Sequence, residues 1–448
     1  MRATVQELPN PYPSARRAWY AVAILTVAYI LSFIDRQILS LLVAPIRRDL
    51  HITDTQMSLL MGLSFAFFYS IFGFPIGRLT DSRSRRNIIT CGIVAWSFCT
   101  AGCGLASSYV RLFLMRVGVG VGEAALSPPA YSLLSDYFSA NRRALALSVY
   151  GLGVFIGAGS AMILGGIIVS YTAPGHMVTL PLVGLSVFPW QLTFFLVGLP
   201  GLLVALAIRT IREPERRERA SLRVPSIRAT FDYVLEHRAT FAYHHAATSI
   251  MAIALYGSLA WVPTFFIRDH GLTAGRTGLI YGLQVMIFSS LGVLAGGWLC
   301  DSLRRRGYRD AHFRVGLLAC LLNLLPSALF PLMPSAHWAF VFTAPFTFLM
   351  ATTLGVAPAA LQQVAPNEMR GQVSAMYLFA VNIIGLAAGP TAIALVTDRV
   401  FHNDNAIGYS LLIVCTSAYS LAALLWWLGL KPFRRSIEAT EAAVAVPA

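Results

Sequence analysis

Apolar residues along this chain come in long runs, with charged residues gathered in the short segments between them. As a helix, a run of roughly 20 apolar residues can cross the ~30 Å hydrocarbon core of a bilayer. Twelve such runs recur, near 18–45, 56–79, 87–106, 109–136, 144–170, 189–211, 238–267, 277–300, 313–333, 337–363, 372–399 and 409–430. The pattern predicts an all-α membrane protein with twelve spans. The stretch 212–237 (REPERRERASLRVPSIRATFDYVLEH) is polar and too short for a domain, so it reads as a linker on the membrane surface. The organisation expected is a segment 1–17, a six-helix bundle 18–211, the linker 212–237, a second six-helix bundle 238–430 and a tail 431–448. Both ends are expected to be mobile. The first run is too long for the apolar core of a cleavable signal and lacks a small-residue cleavage site, so it reads as span 1.

Composition agrees: 56% of residues are hydrophobic and 12% charged, about half the usual charged share. The formal charge of +14 invites a nucleic-acid reading, which the distribution of that charge removes. With the N-terminus inside, 26 Lys and Arg fall in inside segments and 6 in outside loops. That bias places both termini in the cytoplasm and makes the excess charge a topology signal. With no targeting signal, the arginine-rich bias suits a bacterial inner membrane. The six cysteines all lie in apolar runs without metal-ligand spacing, so neither a metal site nor a disulfide is expected. RVGVGVGE has no preceding strand and is not a dinucleotide loop. No nucleotide-binding lysine loop or nucleophile constellation occurs, which argues against an ATP-driven pump or an enzyme, and no cofactor is implied.

The chain repeats itself. GRLTDSRSRR at 77–86 and GWLCDSLRRR at 297–306 share G-x-L-x-D-S-x-x-R-R, 220 residues apart, each at the end of the second span of its half. Parallel duplicated bundles flanking a midplane site are a transporter architecture. The first copy resembles the loop signature of the major facilitator superfamily, G-x-x-x-D-R-x-G-R-R, and departs from it at Ser82 and Ser84. The resemblance covers the whole chain and implies two pseudo-symmetric six-helix bundles. RVGVGVGEAALSPPAYSLLSDYF at 116–138 and FIDRQ at 33–37 look like the spinster-like branch, whose animal members move sphingosine-1-phosphate and lysophospholipids. The Asp-Arg of span 1 and the Arg-x6-Glu of span 4 also resemble the anion:cation symporter branch, which moves sugar acids. The resemblance further implies a latch on the cytoplasmic side, made by Gly77, Asp81 and Arg85 with Asp136, with Asp301 and Arg305 as a weaker copy. Asp81 would meet the N-terminus of span 11, whose dipole favours an anion.

Candidate chemistry lies in the charges inside the spans. Asp35 and Arg36 sit in span 1, Arg116 and Glu123 in span 4. Burying one ionised group costs at least ~2.5–3.5 kcal/mol, so such residues are functional by default. Arg116 and Glu123 are seven apart, on one helix face, and helical rise puts Asp35 and Arg36 at a depth between them. The four are therefore expected to share one water-accessible cavity. Asp35 and Glu123 are the expected proton sites. Arg36 and Arg116 are expected to trade between them and an anionic substrate group, which a planar guanidinium binds in a two-pronged fork. The alternative is two static ion pairs that fix helix register. The second half carries no such charges, and its polar candidates are Gln284, Asn323, Gln362, Tyr377 and Asn382. Of these, Tyr377 and Asn382 in span 11 are the expected substrate contacts, though such residues often serve only helix–helix hydrogen bonds. The function expected is a proton-coupled, monomeric, alternating-access carrier of an amphiphilic anion. A symporter of small organic anions is the alternative, and a channel or membrane enzyme stands behind both.

Overall fold

The computed structural model describes residues 12–171, 177–180, 185–216, 226–366 and 368–445. Ten of its helices are long and apolar enough to cross a membrane: Ala15–Leu41, Asp54–Thr80, Leu145–Ser170, Pro189–Arg209, Arg238–Arg268, Ala274–Arg305, Ala311–Leu332, Ala336–Val364, Arg370–Phe401 and Asp404–Thr440. They are spans 1, 2 and 5 to 12. Span 3 is Arg85–Cys103, and span 4 is built from Tyr109–Glu123 and Ser127–Tyr137. Span 3 carries Arg85 and Arg86 at its start, and span 4 is broken into segments of 15 and 11 residues and carries Arg111, Arg116, Glu123 and Asp136. A small antiparallel hairpin, Val178–Leu180 with Leu185–Val187, joins spans 5 and 6.

Span 4 breaks where its sequence demands it. Pro128 and Pro129 begin its second segment and offer no N–H to the turn before. The chain tightens instead, with Ala125 N–H on the Gly122 carbonyl (3.1 Å) and Leu126 N–H on that of Glu123 (3.0 Å). Glu123 is thereby left at the end of a helix, where the dipole disfavours an anion. The glycines before it serve close packing: a Cβ on Gly122 would lie 2.7 Å from the Trp96 nitrogen of span 3.

The two halves meet along spans 5 and 8, spans 2 and 11, and spans 1 and 7. At the first seam Gly159 and Gly282 face one another, and a Cβ on Gly159 would lie 2.4 Å from the Gly282 carbonyl.

Two expectations change at the connections. The tail is helical: the last helix runs unbroken over Ile407–Ala445, well past Lys431. Its extension is held by Phe433 stacked on Phe313 (4.2 Å), Arg434 on Asp310 (3.1 Å) and Ser436 on Thr240 (2.8 Å). The linker contains a helix, Ile227–Glu236, capped by Ser226. The Tyr233 hydroxyl ties it to the Val364 carbonyl (2.7 Å), while Ile227, Phe231 and Leu235 form an exposed apolar stripe. The segment 1–11, expected to be mobile, lies outside the described residues.

Candidate functional site

The intramembrane charges converge, in an arrangement tighter than the sequence predicts. Arg36 Nε donates to Glu123 Oε2 at 2.7 Å, and the Ser32 hydroxyl donates to the same oxygen at 2.5 Å. The Arg36 guanidinium also lies over the rings of Phe33, Phe65 and Tyr69, at 4.6, 4.5 and 4.8 Å. These cation–π contacts suit a desolvated cation. Among the described residues Arg116 forms no ion pair. It donates through Nη1 to the Asp35 carbonyl (3.0 Å) and through Nε to the Leu60 carbonyl (3.4 Å). The Asp35 carboxylate turns to span 3, where the Thr100 hydroxyl reaches it at 3.2 Å.

The single shared cavity therefore needs correcting. Asp35, Arg116 and Glu123 are buried at 2%, 1% and 0% exposure, and of the four Arg36 is the one that borders the cavity between the halves. That cavity is walled by Gln37, Ser40, Met61 and Phe65 from the first half and by Tyr256, Ala260, Leu386 and Pro390 from the second. One polar atom on each buried group, Asp35 Oδ1, Arg116 Nη2 and Glu123 Oε1, has no hydrogen-bond partner among the described residues. The cluster thus holds unused hydrogen-bonding capacity close to a gap between two bundles.

Sequence reasoning missed Ser32 and Thr100. Ser32 was findable, since it stands four residues before Arg36 and so on the same helix face. Thr100 carries no such signal. Tyr377 is buried in the second half beside His244 (ring centroids 5.5 Å) and lines a separate small cavity with Thr248, Met251 and Tyr256. Asn382 lies in a π-helical turn of span 11, Val381–Ala387, and is half-buried.

At the end of the bundle that bears the termini, Arg85 is fully buried and binds Asp136, as the loop resemblance implies. Glu213, just after span 6, is a second acid on Arg85 that the sequence did not reveal. Its carboxylate accepts from Arg85 Nε (3.1 Å), the Arg85 N–H (2.8 Å) and the Ser84 hydroxyl. Burial alone would push this carboxyl up, yet those hydrogen bonds hold it below the usual glutamate range. Gly77 lies one turn from the end of span 2, with nothing near enough to meet a Cβ. The Asp81 side chain lies outside what is described, so its contact with span 11 does too. Asp301 and Arg305 are exposed.

The opposite end carries a network that sequence reading treated as plain loop charge. Arg268 of span 7 grips Asp54 of span 2 with both Nη atoms (2.6 and 2.8 Å). Arg47 bridges Asp54 (2.9 Å) and Asp404 (2.7 Å), and Thr55 donates twice to Asp398 (2.8 and 2.6 Å). Apart from Arg47–Asp54, these contacts cross from one half to the other. Among the described residues, each ion pair at the terminus-bearing end stays within its own half or the linker.

The model of the Major Facilitator Superfamily matches residues 25–390. An MFS-type efflux pump of Mycolicibacterium smegmatis is 26% identical over 94% of this chain and 95% of its own. Human protein spinster homolog 1 is 28% identical over 87% and 75%. The hexuronate transporter of Bacillus subtilis is 25% identical over 84% and 87%. Among solved structures, a bacterial homologue of the human lysosomal transporter spinster, inward-facing and unoccupied, superposes with a TM-score of 0.78 at 24% identity, covering 95% and 99%. At that identity the likeness speaks for the fold. The twelve-span helical fold agrees with the family match over most of the chain, which shows that the chain belongs to the Major Facilitator Superfamily of membrane transporters.

Proposed function

We propose that this protein is a proton-coupled secondary transporter that carries an amphiphilic anion, of lysophospholipid or sphingolipid type, by alternating access. The observation that carries this reading is the Arg36–Glu123 pair, buried at the seam between the halves with the arginine bordering the interbundle cavity. An entering phosphate or carboxylate offers Arg36 a second anion. As the guanidinium turns toward it, Glu123 keeps only Ser32 and becomes easier to protonate. Asp35 is the second proton site, and Arg116, with one free Nη, the second anion contact. Tyr377 and Asn382 form the wall opposite. Exchange of partners among fixed charges couples the two fluxes without covalent chemistry.

The terminus-bearing end, richer in arginine, is the cytoplasmic one. In this reading the Asp54–Arg268 network seals the outside when the cavity faces in. Arg85 with Asp136, with Gly77 and Asp81 beside them, latches the cytoplasmic side shut when the cavity faces out. The two bundles, taken as 18–211 and 238–430, rock about the linker in a monomer of the bacterial inner membrane.

The hexuronate transporter and a probable L-galactonate transporter of Escherichia coli, 24% identical over 70% of this chain, favour a second reading, in which small sugar acids take the same place on Arg36. A thermal-shift panel on the purified protein separates the two. Half the panel is lysophospholipids and sphingoid phosphates, half hexuronates and dicarboxylates, and a specific ligand raises stability as RT ln(1 + [L]/Kd). Coupling is tested in liposomes, where Glu123→Gln should lose uptake driven by a proton gradient while keeping exchange. Unchanged proton-driven uptake in that variant would overturn the role of Glu123.

A further inference from the structure

A groove on the first half stands apart from the interbundle cavity. It has a volume of about 610 Å³, within the ~300–1,000 Å³ range of small-molecule sites. Ile76 and Leu79 of span 2 form one wall, Ile88, Cys91 and Ala95 of span 3 the other, and Val121, Gly122 and Ala125 of span 4 the floor. Leu79, Cys91 and Ala95 are exposed, so the groove is open along its length. Its mouth is polar and comprises Arg83, Ser84 and Asn87.

From Ser84 to Ala95 is eleven residues, or about 16 Å of helix at 1.5 Å each. Half of a ~30 Å hydrocarbon core is about 15 Å. The groove therefore spans one leaflet, from the headgroup level at the terminus-bearing end to the bilayer middle. Its mouth is cationic. Arg83 is exposed, and among the described residues no hydrogen bond or ion pair engages its guanidinium. Glu213, which binds the two residues after Arg83, is taken up by Ser84 and Arg85. Arg83 and Asn87 are not part of the loop signature, so the latch does not account for them.

We propose that this groove binds an anionic diacyl phospholipid of the leaflet at the terminus-bearing end. The phosphate sits on Arg83 and Asn87, and one acyl chain lies between spans 2 and 3 on the span 4 floor. Two features of the groove complement such a lipid: an apolar trough one leaflet deep and a free cation at the polar rim. The occupied groove props span 2 against span 3 beside the Arg85–Asp136 pair.

Cys91 reports on the site directly, since it is the exposed cysteine among the six and lines the groove. The full-length protein is reconstituted in phosphatidylglycerol or phosphatidylcholine vesicles and treated with a membrane-permeant maleimide. Labelling of Cys91 is read by peptide mass spectrometry. The expected result is labelling slower by about fivefold in phosphatidylglycerol, the factor matching one arginine at an anionic surface. Arg83→Ala should abolish the difference and Arg83→Lys should restore it, and both change an exposed side chain. Ala95→Phe, which fills the groove, should remove lipid dependence even with Arg83 present. Glycerol phosphate added to phosphatidylcholine vesicles should do nothing. Equal labelling of the wild-type protein in the two lipids would overturn the proposal. So would a difference that survives Arg83→Ala, or protection by glycerol phosphate alone. Transport activity plays no part in the readout, so this outcome is independent of the substrate reading.

Discussion

The two halves share one loop pattern 220 residues apart, yet their interiors differ in kind. At mid-depth the first half buries Asp35, Arg36, Arg116 and Glu123. The second holds its helices with neutral groups. Gln284 donates to the Phe340 carbonyl (2.7 Å) and accepts from Thr343 (2.8 Å), and His244 contacts the Ala357 carbonyl (2.9 Å). The terminus-bearing end diverges in the same sense. Arg85 is buried between Asp136 and Glu213, while Arg305, its counterpart in the repeat, is exposed. The second half instead buries Asp310 and pairs it with Arg314 (2.7 Å) and Arg434 (3.1 Å). The loop pattern is common to both halves, while the buried charges are not. One bundle buries an ionic cluster at mid-depth, and the other neutral hydrogen-bonding groups.

The contrast is broken most severely at Arg36. Arg36→Ala leaves the Glu123 carboxylate at 0% exposure without a cation, a loss expected to cost about 3–5 kcal/mol. Arg36→Ala combined with Glu123→Leu should recover much of that, because no lone charge remains. Thermal unfolding in detergent reads both, and a single-mutant cost no larger than that of a neutral polar residue would erase the distinction between the halves. The next largest effect belongs to the repeated loop. Arg85→Ala strands Asp136 and should cost roughly 2–4 kcal/mol, near the lower end for a buried pair broken from one side. Arg305→Ala, on an exposed side chain, should stay within about 0.5 kcal/mol. Equal costs would mean that the two loops do the same job.

The twelve spans, the repeat and the set of four intramembrane charges were legible because each rests on the linear sequence: apolar length, a recurring loop pattern, ionisable residues inside apolar runs. The pairing of Arg36 with Glu123 was not, since helical rise put the two at different depths. What was not legible depends on which helices touch. Thr100 reaches Asp35 only because span 3 packs behind span 1, and Glu213 reaches Arg85 only because the chain leaving span 6 folds under span 3. The Arg47–Asp54–Arg268–Asp404 network joins residues up to 357 apart in sequence, and it looked like loop charge until both bundles were in place. The tail was misjudged for a related reason. Lys431, Pro432, Arg434 and Arg435 read as the end of a span, whereas Phe433 and Arg434 had partners waiting at the start of span 9, at Phe313 and Asp310.

A smaller perturbation sharpens the neutral side of the comparison. Gln284→Ala deletes both hydrogen bonds of that amide, at an expected cost of about 1–2 kcal/mol inside a membrane bundle. The loss should be independent of pH, because neither partner titrates. It is measured by the shift in melting temperature at two pH values, and a pH-dependent shift would point to a charge hidden in the second half.

Glu213→Gln should give a smaller loss again and the most diagnostic pH profile. Hydrogen bonds from Ser84 and Arg85 hold this carboxyl below its ordinary range. Its ionised form therefore stabilises the fold above the unfolded value of about 4.3, and that contribution is lost as pH falls through the lower folded value. Glutamine keeps one acceptor oxygen but not the charge, so the cost at pH 7 should be about 0.5–1 kcal/mol. Lowering the pH below about 4 should close the gap between variant and wild type, since the wild type then loses the same charge. A gap that persists at low pH would show that Glu213 acts through shape and hydrogen bonding alone. Arg85 would then depend on Asp136 as its one effective counter-charge, which would leave the latch a simpler device than the pair of acids suggests.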